Sequence, residues 1–326
     1  MNIGLIGAGG IGTVHAENLH AHAGASLVAI CDRDRDRATT LAENTDSEAY
    51  QQLDHLLASH DLDGLYICTP PTSHESIIET AATADIPIFC EKPLAHSLDS
   101  AQRIVDRIDA AGIRCMLGFC LRFAPTSKKF KTVIENEPIG TPVMWFSQRA
   151  GMGVPGDDNW RVDPDQACGI TIESASHNID FLRWLAGDVA SASGQVRNVS
   201  RPDLEHFDDN MVATLSFDNG AIGVIQNSWI SSLESLSHGV IGSDGAVVLE
   251  GEGWWRHDRL TYRTASDDDA TTIEFDESEA TAMGYRGETD AFVEMLNSGN
   301  VSPVDEKDGL ATMKISQQIL QSTTAD

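Results

Sequence analysis

Lys92 and His177 are the side chains of this 326-residue sequence whose types and surroundings best suit acid–base chemistry. Lys92 is one of only six lysines and lies between an apolar stretch and Pro93. The Lys92-Pro93 bond is a candidate for the cis form, which would direct the lysine into a cleft. His177 follows Glu173 by four residues in a predicted helix from 169 to 185, so the carboxylate can orient or polarise the imidazole. These residues predict proton transfer near neutral pH.

Simpler interpretations of the same residues stay open. Lys92 can be an ordinary loop lysine, and His177 can be a buried histidine whose ring is satisfied by hydrogen bonds. The spacing of Glu173 and His177 also suits metal ligands, but the sequence offers no third ligand, and its six cysteines form no C-x-x-C pair. We therefore predict no metal site. The cysteines read as small buried residues.

Three glycines predict a dinucleotide site. Gly7, Gly9 and Gly12 form a G-x-G-x-x-G pattern that follows the apolar run 3–6 and opens a helical stretch from 11 to 22. A second strand, 26–31, leads to Asp32, which lies 20 residues after Gly12, the spacing of an acid that binds the adenosine ribose. Because a carboxylate there repels a 2′-phosphate, NAD is favoured over NADP. Arg33 could meet that phosphate, so NADP stays possible.

The elements around these residues alternate between strands and helices. Apolar strands are predicted at 64–68, 87–90 and 113–117, with helices at 76–84 and 98–111, and this alternation indicates a parallel sheet covered on both faces. A Thr72-x-x-Glu75 capping box and Ser97 are predicted to open the two helices. The loops after the strands lie at the carboxyl edge, where ligands bind.

The loops after the fourth and fifth strands both contain prolines and could form walls of the nicotinamide pocket. His74, beside the capping box, is interpreted as a surface histidine at a helix N-terminus, with cofactor contact as the alternative. The residues predicted to bind the cofactor are Gly7, Gly9, Gly10, Ile11, Gly12, Asp32, Arg33, Thr69, Pro70, Pro71, His74, Glu91 and Lys92.

The second half of the chain predicts a different architecture. Strand patterns with turn signals between them occur at 142–149, 190–199, 210–217, 221–229, 237–241 and 246–250, and indicate a mostly antiparallel sheet. Helices are predicted at 125–136, 286–297 and 306–321. The predicted fold is therefore α/β, with a doubly wound parallel sheet in residues 1–120 and an α+β domain with a mostly antiparallel open sheet in residues 121–326.

The charge balance limits the class of partner. The sequence has 50 acidic and 22 basic residues, a net charge of −28, which argues against nucleic acid. Such self-repulsion is screened in molar salt, so we predict a salt-loving host, although many mesophilic proteins are also acidic. The sequence has neither an apolar run of about 20 residues nor a basic leader, which predicts a cytoplasmic protein without a membrane partner.

With these motifs, the sequence resembles the glucose-fructose oxidoreductase and myo-inositol dehydrogenase family over essentially its whole length. The resemblance is carried by the glycine pattern, Glu91-Lys92-Pro93, the acid-x-x-x-His segment, Arg122-Phe123-x-Pro125 and Trp160-Arg161-x-Asp163. It implies a Rossmann domain followed by an α/β domain whose open sheet makes the oligomer contact, as a homodimer or homotetramer. It also implies a substrate placed between the domains against the nicotinamide.

The resemblance implies catalytic roles for Lys92 and His177. Glu173 stands where the family usually has an aspartate, and its extra methylene must shift its geometry relative to His177. In family terms His177 accepts the hydroxyl proton and Lys92 stabilises the alkoxide, although the family leaves open which of the two is the base. The residues predicted to contact the substrate are Arg122, Trp160, Arg161, Asn178 and Asp180. Of these, Trp160 and Asp180 could equally be packing or surface positions.

The predicted activity is NAD-dependent oxidation of a secondary hydroxyl of a sugar, sugar acid or cyclitol. One alternative is an NADP-linked reductase of a carbonyl or imine with the same fold. The other is a non-catalytic regulator that binds a nucleotide or a sugar.

Overall fold

The computed structural model describes residues 1–157, 159–163, 165–166, 168–205 and 207–323. The chain divides into two compact units. The first contains Met1–Phe119 and Tyr285–Ala311, and the second contains Cys120–Gly284 and the residues from Thr312 onward. The sequence-based boundary at 120 lies beside this break, but the segment Tyr285–Ala311, predicted as part of the second domain, packs with the first unit.

The first unit is built on a six-stranded parallel sheet. Its strand order is 3-2-1-4-5-6, the order of the dinucleotide-binding doubly wound fold. The strands are β1 (Asn2–Ile6), β2 (Ser26–Cys31), β3 (Glu48–Tyr50), β4 (Gly64–Ile67), β5 (Ile88–Glu91) and β6 (Cys115–Gly118). The helices between them are α1 (Gly10–Ala21), α2 (Arg35–Asn44), α3 (Leu53–Ser59), α4 (His74–Thr83) and α5 (Leu98–Ala111). The order reverses between β1 and β4, so ligands are expected at the carboxyl ends of these strands.

Local sequence explains several of these elements. Every residue of β4 is buried, as expected for a parallel strand covered on both faces. Helix α5 is capped at its N-terminus by Ser97, whose hydroxyl accepts a hydrogen bond from the Ser100 amide at 3.3 Å. At its C-terminus it is capped by Gly112 in the left-handed region, with a φ of 71°. The prediction for this helix is confirmed.

The prediction of a capping box before α4 was wrong. Helix α4 begins at His74, and the carboxylate of Glu75 instead accepts hydrogen bonds from α5, from the Ser100 hydroxyl at 2.6 Å and from Nε of Arg103 at 2.6 Å. An arginine on the neighbouring helix therefore outcompetes the backbone amides for this carboxylate. The same contacts lower the pKa of Glu75 to about 2.

The second unit contains an eight-stranded sheet in the order 14-13-12-11-7-10-9-8, and among the strand pairs that the structure describes there, only β10 and β7 are parallel. Its strands are β7 (Pro142–Met152), β8 (Val189–Arg197), β9 (Asn210–Phe217), β10 (Ile222–Ser228), β11 (Ile230–Gly242), β12 (Gly245–Gly251), β13 (Arg259–Thr264) and β14 (Thr271–Glu274). The remaining α-helices among the described residues are α6 (Pro125–Asn136), α7 (Ile170–Glu173), α8 (Ala175–Ala186), α9 (Glu277–Ala280), α10 (Tyr285–Ser298) and α11 (Glu306–Thr323). The predicted α/β fold class, with a parallel sheet followed by a mostly antiparallel one, is confirmed.

The single helix predicted from 169 to 185 is two helices that meet at Ser174. The Ser176 hydroxyl donates to the carbonyl of Glu173 at 2.8 Å, and the amide of His177 bonds to the carbonyl of Ser174, three residues back, at 3.2 Å. The Ser176 hydroxyl thus binds the Glu173 carbonyl, which in a regular helix would accept from the His177 amide, and the backbone hydrogen bond there spans three residues instead of four. Glu173 and His177 therefore lie on different helices.

Within the described residues, no helix combines the length and the apolar character needed to cross a membrane.

Candidate active site

Two of the motif glycines are required by the fold of the first unit itself. Gly7 has a φ of 100°, and a Cβ on it would lie 2.6 Å from the carbonyl oxygen of Cys68. A Cβ on Gly12 would lie 1.8 Å from the carbonyl oxygen of Gly7. No side chain fits either position, so both glycines make the close turn between β1 and α1 possible.

Gly9 and Gly10 have a different environment. A Cβ on either residue would meet no atom of the described chain within 4 Å, so internal packing does not require a glycine there. Among the described residues, no side chain caps the first turn of α1. Open space above uncapped amide groups at a helix N-terminus is what a pyrophosphate needs, so this turn fits the predicted cofactor. Ile11, in the same turn, is partly exposed.

Asp32 is fixed beside the glycine turn by backbone donors. Its Oδ2 accepts a hydrogen bond from the amide of Ala8 at 2.7 Å, and its Oδ1 accepts one from the amide of Asp34 at 2.8 Å. The carboxylate is partly exposed, and the neighbouring Arg33 is exposed. These two bonds hold the carboxylate at the end of β2 beside the glycine turn, and its role as a ribose ligand stays a prediction.

His74 is fully buried, so its interpretation as a surface histidine was wrong. Its Nε2 lies 2.9 Å from the carbonyl oxygen of Thr69, and its Nδ1 lies 3.2 Å from the carbonyl oxygen of Leu94 and 3.4 Å from Sγ of Cys90. A neutral ring donates a hydrogen bond to only one of these two carbonyls. Burial lowers the pKa of His74, which favours the neutral imidazole. The histidine therefore connects the Thr69-Pro70-Pro71 loop with the loop that follows Pro93.

Lys92 lies at the carboxyl end of β5, and its backbone is held by the preceding residue. Its amide donates to Oε2 of Glu91 at 3.0 Å, and the Lys92-Pro93 bond is cis, as predicted. The carboxylate of Glu91 is buried and its Oε1 lies 2.7 Å from Nε2 of His15. Glu91, predicted as a cofactor ligand, thus has both carboxylate oxygens in contacts inside the first unit.

His177 is buried on α8 in the second unit, beside Trp255, a residue that was not among the predicted site residues. The ring of Trp255 meets the imidazole edge-on, with centroids 5.2 Å apart. The guanidinium carbon of Arg149 lies 3.9 Å from the Trp255 ring centroid and 4.3 Å from that of Trp254. The sequence has six tryptophans, and the adjacent pair Trp254 and Trp255 was the feature that could have pointed to this contact. Their partners, however, come from distant strands and helices.

Glu173 has a partner that the sequence analysis did not predict for it. Its Oε1 accepts a hydrogen bond from Nη2 of Arg161 at 2.7 Å, and Arg161 also stacks on Trp160, 4.9 Å from the ring centroid. Trp160, Arg161 and Glu173 therefore form one group in the second unit. This group consists of two of the predicted substrate residues and the acid of the predicted catalytic set.

The other predicted substrate residues are engaged within the second unit. Arg122 binds Asp180 through two hydrogen bonds, Nε to Oδ2 at 2.8 Å and Nη2 to Oδ1 at 2.5 Å, and both side chains are buried. Asn178 donates to the Ser147 hydroxyl at 2.6 Å and accepts from the Asn227 amide at 2.9 Å. These bonds attach α8 to the short helical turn at Arg122 and to the sheet, and so hold the helix that carries His177.

The start of α7 is anchored by a buried acid, Asp208. Its Oδ2 accepts hydrogen bonds from the amide of Thr171 at 3.1 Å and the Thr171 hydroxyl at 2.6 Å. Desolvation by burial raises the pKa of Asp208 to about 6 despite these bonds. The acid that holds the start of α7 therefore stays protonated to a higher pH than an exposed aspartate does.

Comparison with known proteins gives two family matches along the sequence. Residues 1–119 match the sequence model of the oxidoreductase family with an NAD-binding Rossmann fold, and residues 131–326 match the C-terminal alpha/beta domain of that family. The scyllo-inositol 2-dehydrogenase (NAD(+)) of Bacillus subtilis is 27% identical over 95% of this chain and 90% of its own length. The D-xylose 1-dehydrogenase (NADP(+)) 2 of Haloferax volcanii is 28% identical over 99% and 97%.

A solved structure shares the fold. The oxidoreductase of Agrobacterium radiobacter, crystallised with NAD+, L-tartaric acid and magnesium, superposes with a TM-score of 0.86 at 23% identity, over 100% of this chain and 96% of that one. The two family matches together cover nearly the whole sequence. The chain therefore belongs to the GFO/IDH/MocA family of NAD(P)-dependent oxidoreductases, the family of glucose-fructose oxidoreductase and inositol dehydrogenase.

Proposed function

We propose that this protein is an NAD-dependent dehydrogenase that oxidises a secondary hydroxyl of a sugar, a sugar acid or a cyclitol. The observation that carries the proposal is the carboxyl edge of the parallel sheet, where the glycine turn, the fixed carboxylate of Asp32 and Lys92 follow β1, β2 and β5. The dehydrogenase relatives that act on scyllo-inositol and D-xylose support the substrate class.

Three residues of the chain have separate roles in the proposed reaction. When bound, NAD supplies the hydride acceptor for the carbinol carbon. His177 accepts the hydroxyl proton, and the Lys92 ammonium stabilises the negative charge that develops on the oxygen. Arg161 holds the carboxylate of Glu173, so Glu173 supports the site without being the principal base.

The choice of NAD over NADP rests on Asp32. Its carboxylate is held by the amides of Ala8 and Asp34, so it cannot easily turn away from a ribose 2′-phosphate. The variant Asp32→Asn keeps an oxygen acceptor and removes the charge, and it should raise the preference for NADP over NAD by about tenfold or more in kcat/KM. An unchanged preference in this variant would place cofactor selection elsewhere, with Arg33 the next residue to test.

The experiment that tests the activity is a substrate screen followed by variants. Absorbance at 340 nm is followed with aldoses, uronates and inositols in molar KCl, with NAD and NADP in parallel. Lys92→Ala and His177→Ala should each lower kcat about 100- to 10,000-fold. Lys129→Ala and His55→Ala are matched controls, because both side chains are exposed on helices of the chain.

The outcomes separate the alternatives. Turnover that survives both Lys92→Ala and His177→Ala would remove the catalytic assignments. Tight NAD binding by calorimetry without turnover of any polyol would favour a nucleotide-binding regulator. Faster reduction of carbonyls or imines with NADPH than oxidation of any polyol would favour the reductase.

We also propose that the protein forms a homodimer or homotetramer through the outer face of its second sheet. Met144, Ile222 and Ile241 lie side by side across β7, β10 and β11, and Ile222 and Ile241 are 54% and 38% exposed. An apolar row of this kind is typical of a protein interface. Ile222→Lys should lower the molar mass measured by light scattering, whereas Thr271→Lys, exposed on β14, should not. An oligomer that persists in Ile222→Lys would contradict the proposal.

A further inference from the structure

Three ionisable side chains are buried together in the first unit. They are His15 on α1, Glu91 at the end of β5 and Glu288 on α10. One nitrogen or oxygen atom from each lies within 4.8 Å of the others, and the residues are 0%, 5% and 0% exposed. Burying ionisable groups is costly unless they are paired, so this cluster needs a reason beyond packing.

Glu91 is the centre of the cluster and is held on two sides. Its Oε1 makes a 2.7 Å hydrogen bond with Nε2 of His15, and its Oε2 accepts the amide of Lys92 at 3.0 Å. On the neighbouring strand the carboxylate lies against Gly118, where an added Cβ would come within 3.1 Å of it. The carboxylate therefore has one position, and that position fixes the backbone of Lys92.

His15 is itself fixed by aromatic rings. Its ring centroid lies 4.9 Å from that of Phe89, 5.4 Å from that of Tyr66 and 5.8 Å from that of Tyr285. Within the described chain its Nδ1 has no hydrogen-bond partner, so Glu91 receives the bond that this imidazole makes. An apolar side chain would fill the same space without burying a polar nitrogen. Stability alone does not explain a histidine here.

The position of His15 on α1 connects its contact with Glu91 to the glycine turn. Helix α1 begins at the glycine turn that fits the cofactor phosphates, and His15 lies one turn further along the same helix. The sequence of bonds from His15 to Glu91 to the Lys92 amide therefore connects the phosphate-binding helix with the backbone of the proposed catalytic lysine. Lysine has a long flexible side chain, so the placement of its ammonium depends on the placement of its backbone.

We propose that His15 and Glu91 are positioning residues that hold Lys92 in its reactive place, an inference that rests on the proposed role of Lys92. Neither residue touches the substrate. Their contribution is to keep the Lys92 backbone in register with α1, so losing the His15–Glu91 bond lowers kcat without changing the affinity for NAD.

The test compares two polar substitutions of the same histidine. In His15→Gln the amide nitrogen occupies the place of Nε2 and can reach Glu91, whereas in His15→Asn the amide ends near the place of Nδ1 and cannot. His15→Asn should lower kcat about 10- to 100-fold, because a small misplacement of a reacting group has effects of this size. His15→Gln should keep kcat within a few-fold of the wild type. Both should leave the Kd for NAD and the KM for substrate nearly unchanged.

Tyr66→Phe is the matched control. It removes a buried hydroxyl from the same aromatic surroundings but leaves the bond between His15 and Glu91 in place, so kcat should not change. Thermal melting of all variants identifies any that do not fold. A purely structural role predicts instead that the melting temperatures of the two His15 variants fall while kcat of the folded enzyme stays the same.

Two results would overturn the inference. One is equal kcat in His15→Asn and His15→Gln while Lys92→Ala is inactive, which would leave the proposed function intact and reject the positioning role. The other is loss of wild-type turnover after dialysis against EDTA, with recovery on adding Mg²⁺, Mn²⁺ or Zn²⁺, because His15, Glu91 and Glu288 would then be metal ligands. If Lys92→Ala is fully active, the proposed function itself fails, and this result is distinct from both.

Discussion

The guanidinium of Arg161 donates a hydrogen bond to the carboxylate of Glu173 at 2.7 Å, and the Glu173 side chain is mostly buried. The acid expected to orient the imidazole of His177 is thus neutralised by an arginine from the preceding segment. The break at Ser174 also separates Glu173 and His177 into two helices. Both facts reduce the share of catalysis expected from Glu173.

The first prediction is that Glu173→Gln lowers kcat much less than His177→Ala does. The amide oxygen of Gln can still accept from Arg161, so the local structure is kept and the loss in kcat should stay below about tenfold. Steady-state rates at saturating substrate measure the effect. Arg161→Lys is the companion variant, because it keeps the positive charge and loses the planar fork. A Glu173→Gln enzyme as inactive as His177→Ala would give Glu173 a direct part in proton transfer.

The local structure that the sequence predicted around the candidate site depends on short-range rules. Gly12 is required by its steric contact with the Gly7 carbonyl within the turn that the motif describes, Gly7 has the positive φ of that turn, and Asp32 follows from a fixed distance along the chain. Helix α5 begins after Ser97 because a serine there can accept a bond from the backbone three residues later. Signals of this kind are complete within about 30 residues.

The parts that the sequence did not predict depend on distant partners. The ring of His74 points inward, where it lies against the carbonyl of Leu94, 20 residues away. The carboxylate of Glu75 binds Arg103 of α5 instead of forming the expected capping box. Arg149 meets Trp254 and Trp255 from the other half of the second unit. Local periodicity likewise gave no reason to place Tyr285–Ala311 with the first unit, because that choice rests on packing against the first 119 residues.

The second prediction concerns the buried pair of Arg122 and Asp180. Asp180→Asn leaves a guanidinium that is 8% exposed without its full counter-charge, and should lower the free energy of unfolding by about 3–5 kcal/mol. Guanidinium chloride denaturation measures the loss. The double variant Arg122→Met, Asp180→Leu should recover much of it, since an apolar pair of similar volume removes the unpaired charge.

An exposed ion pair is the matched control for this prediction. Arg103 and Glu75 make a similarly short contact, 2.6 Å, but lie at the surface, where water and salt screen the charges. Glu75→Gln should therefore change stability far less than Asp180→Asn. Equal losses from the two variants would show that burial does not set the strength of the Arg122–Asp180 pair.

The third prediction is a pH dependence that originates at Asp208. Burial raises the pKa of this carboxyl from 3.8 to about 6 in the folded protein. Between these two values the folded state binds more protons than the unfolded state, so the Asp208 contribution to stability falls as pH rises through the window and is fully lost above it. From pH 5 to pH 7.5 the expected loss is about 1 kcal/mol.

Asp208→Asn isolates this contribution. The amide oxygen can still accept from the Thr171 amide and hydroxyl, but it does not titrate. Urea denaturation of both proteins at several pH values should show the wild type losing stability relative to the variant as pH rises from 5 to 7.5. A constant difference between the two proteins across this range would mean that Asp208 is ionised throughout.

The fourth prediction is that stability rises with salt because the chain carries a net charge of −28. Raising KCl from 0.1 to 1 M shortens the Debye length from about 10 Å to about 3 Å, so repulsion between surface acids is screened. The melting temperature should therefore increase with KCl and should increase less with sucrose, which stabilises by exclusion without screening charge.

Reversing exposed charges tests whether screening is the cause of that increase. Asp268 and Asp269 lie exposed in the turn between β13 and β14, whereas the neighbouring Asp267 bonds to Thr264 and is left in place. The double variant Asp268→Lys, Asp269→Lys lowers the net negative charge by two units per substitution. Its melting temperature should rise less steeply with KCl than that of the wild type, with the largest difference at low salt. If KCl raises the melting temperatures of both proteins by the same amount as sucrose does, the stabilisation comes from exclusion of the solute from the protein surface. The acidic surface is then not an adaptation to salt.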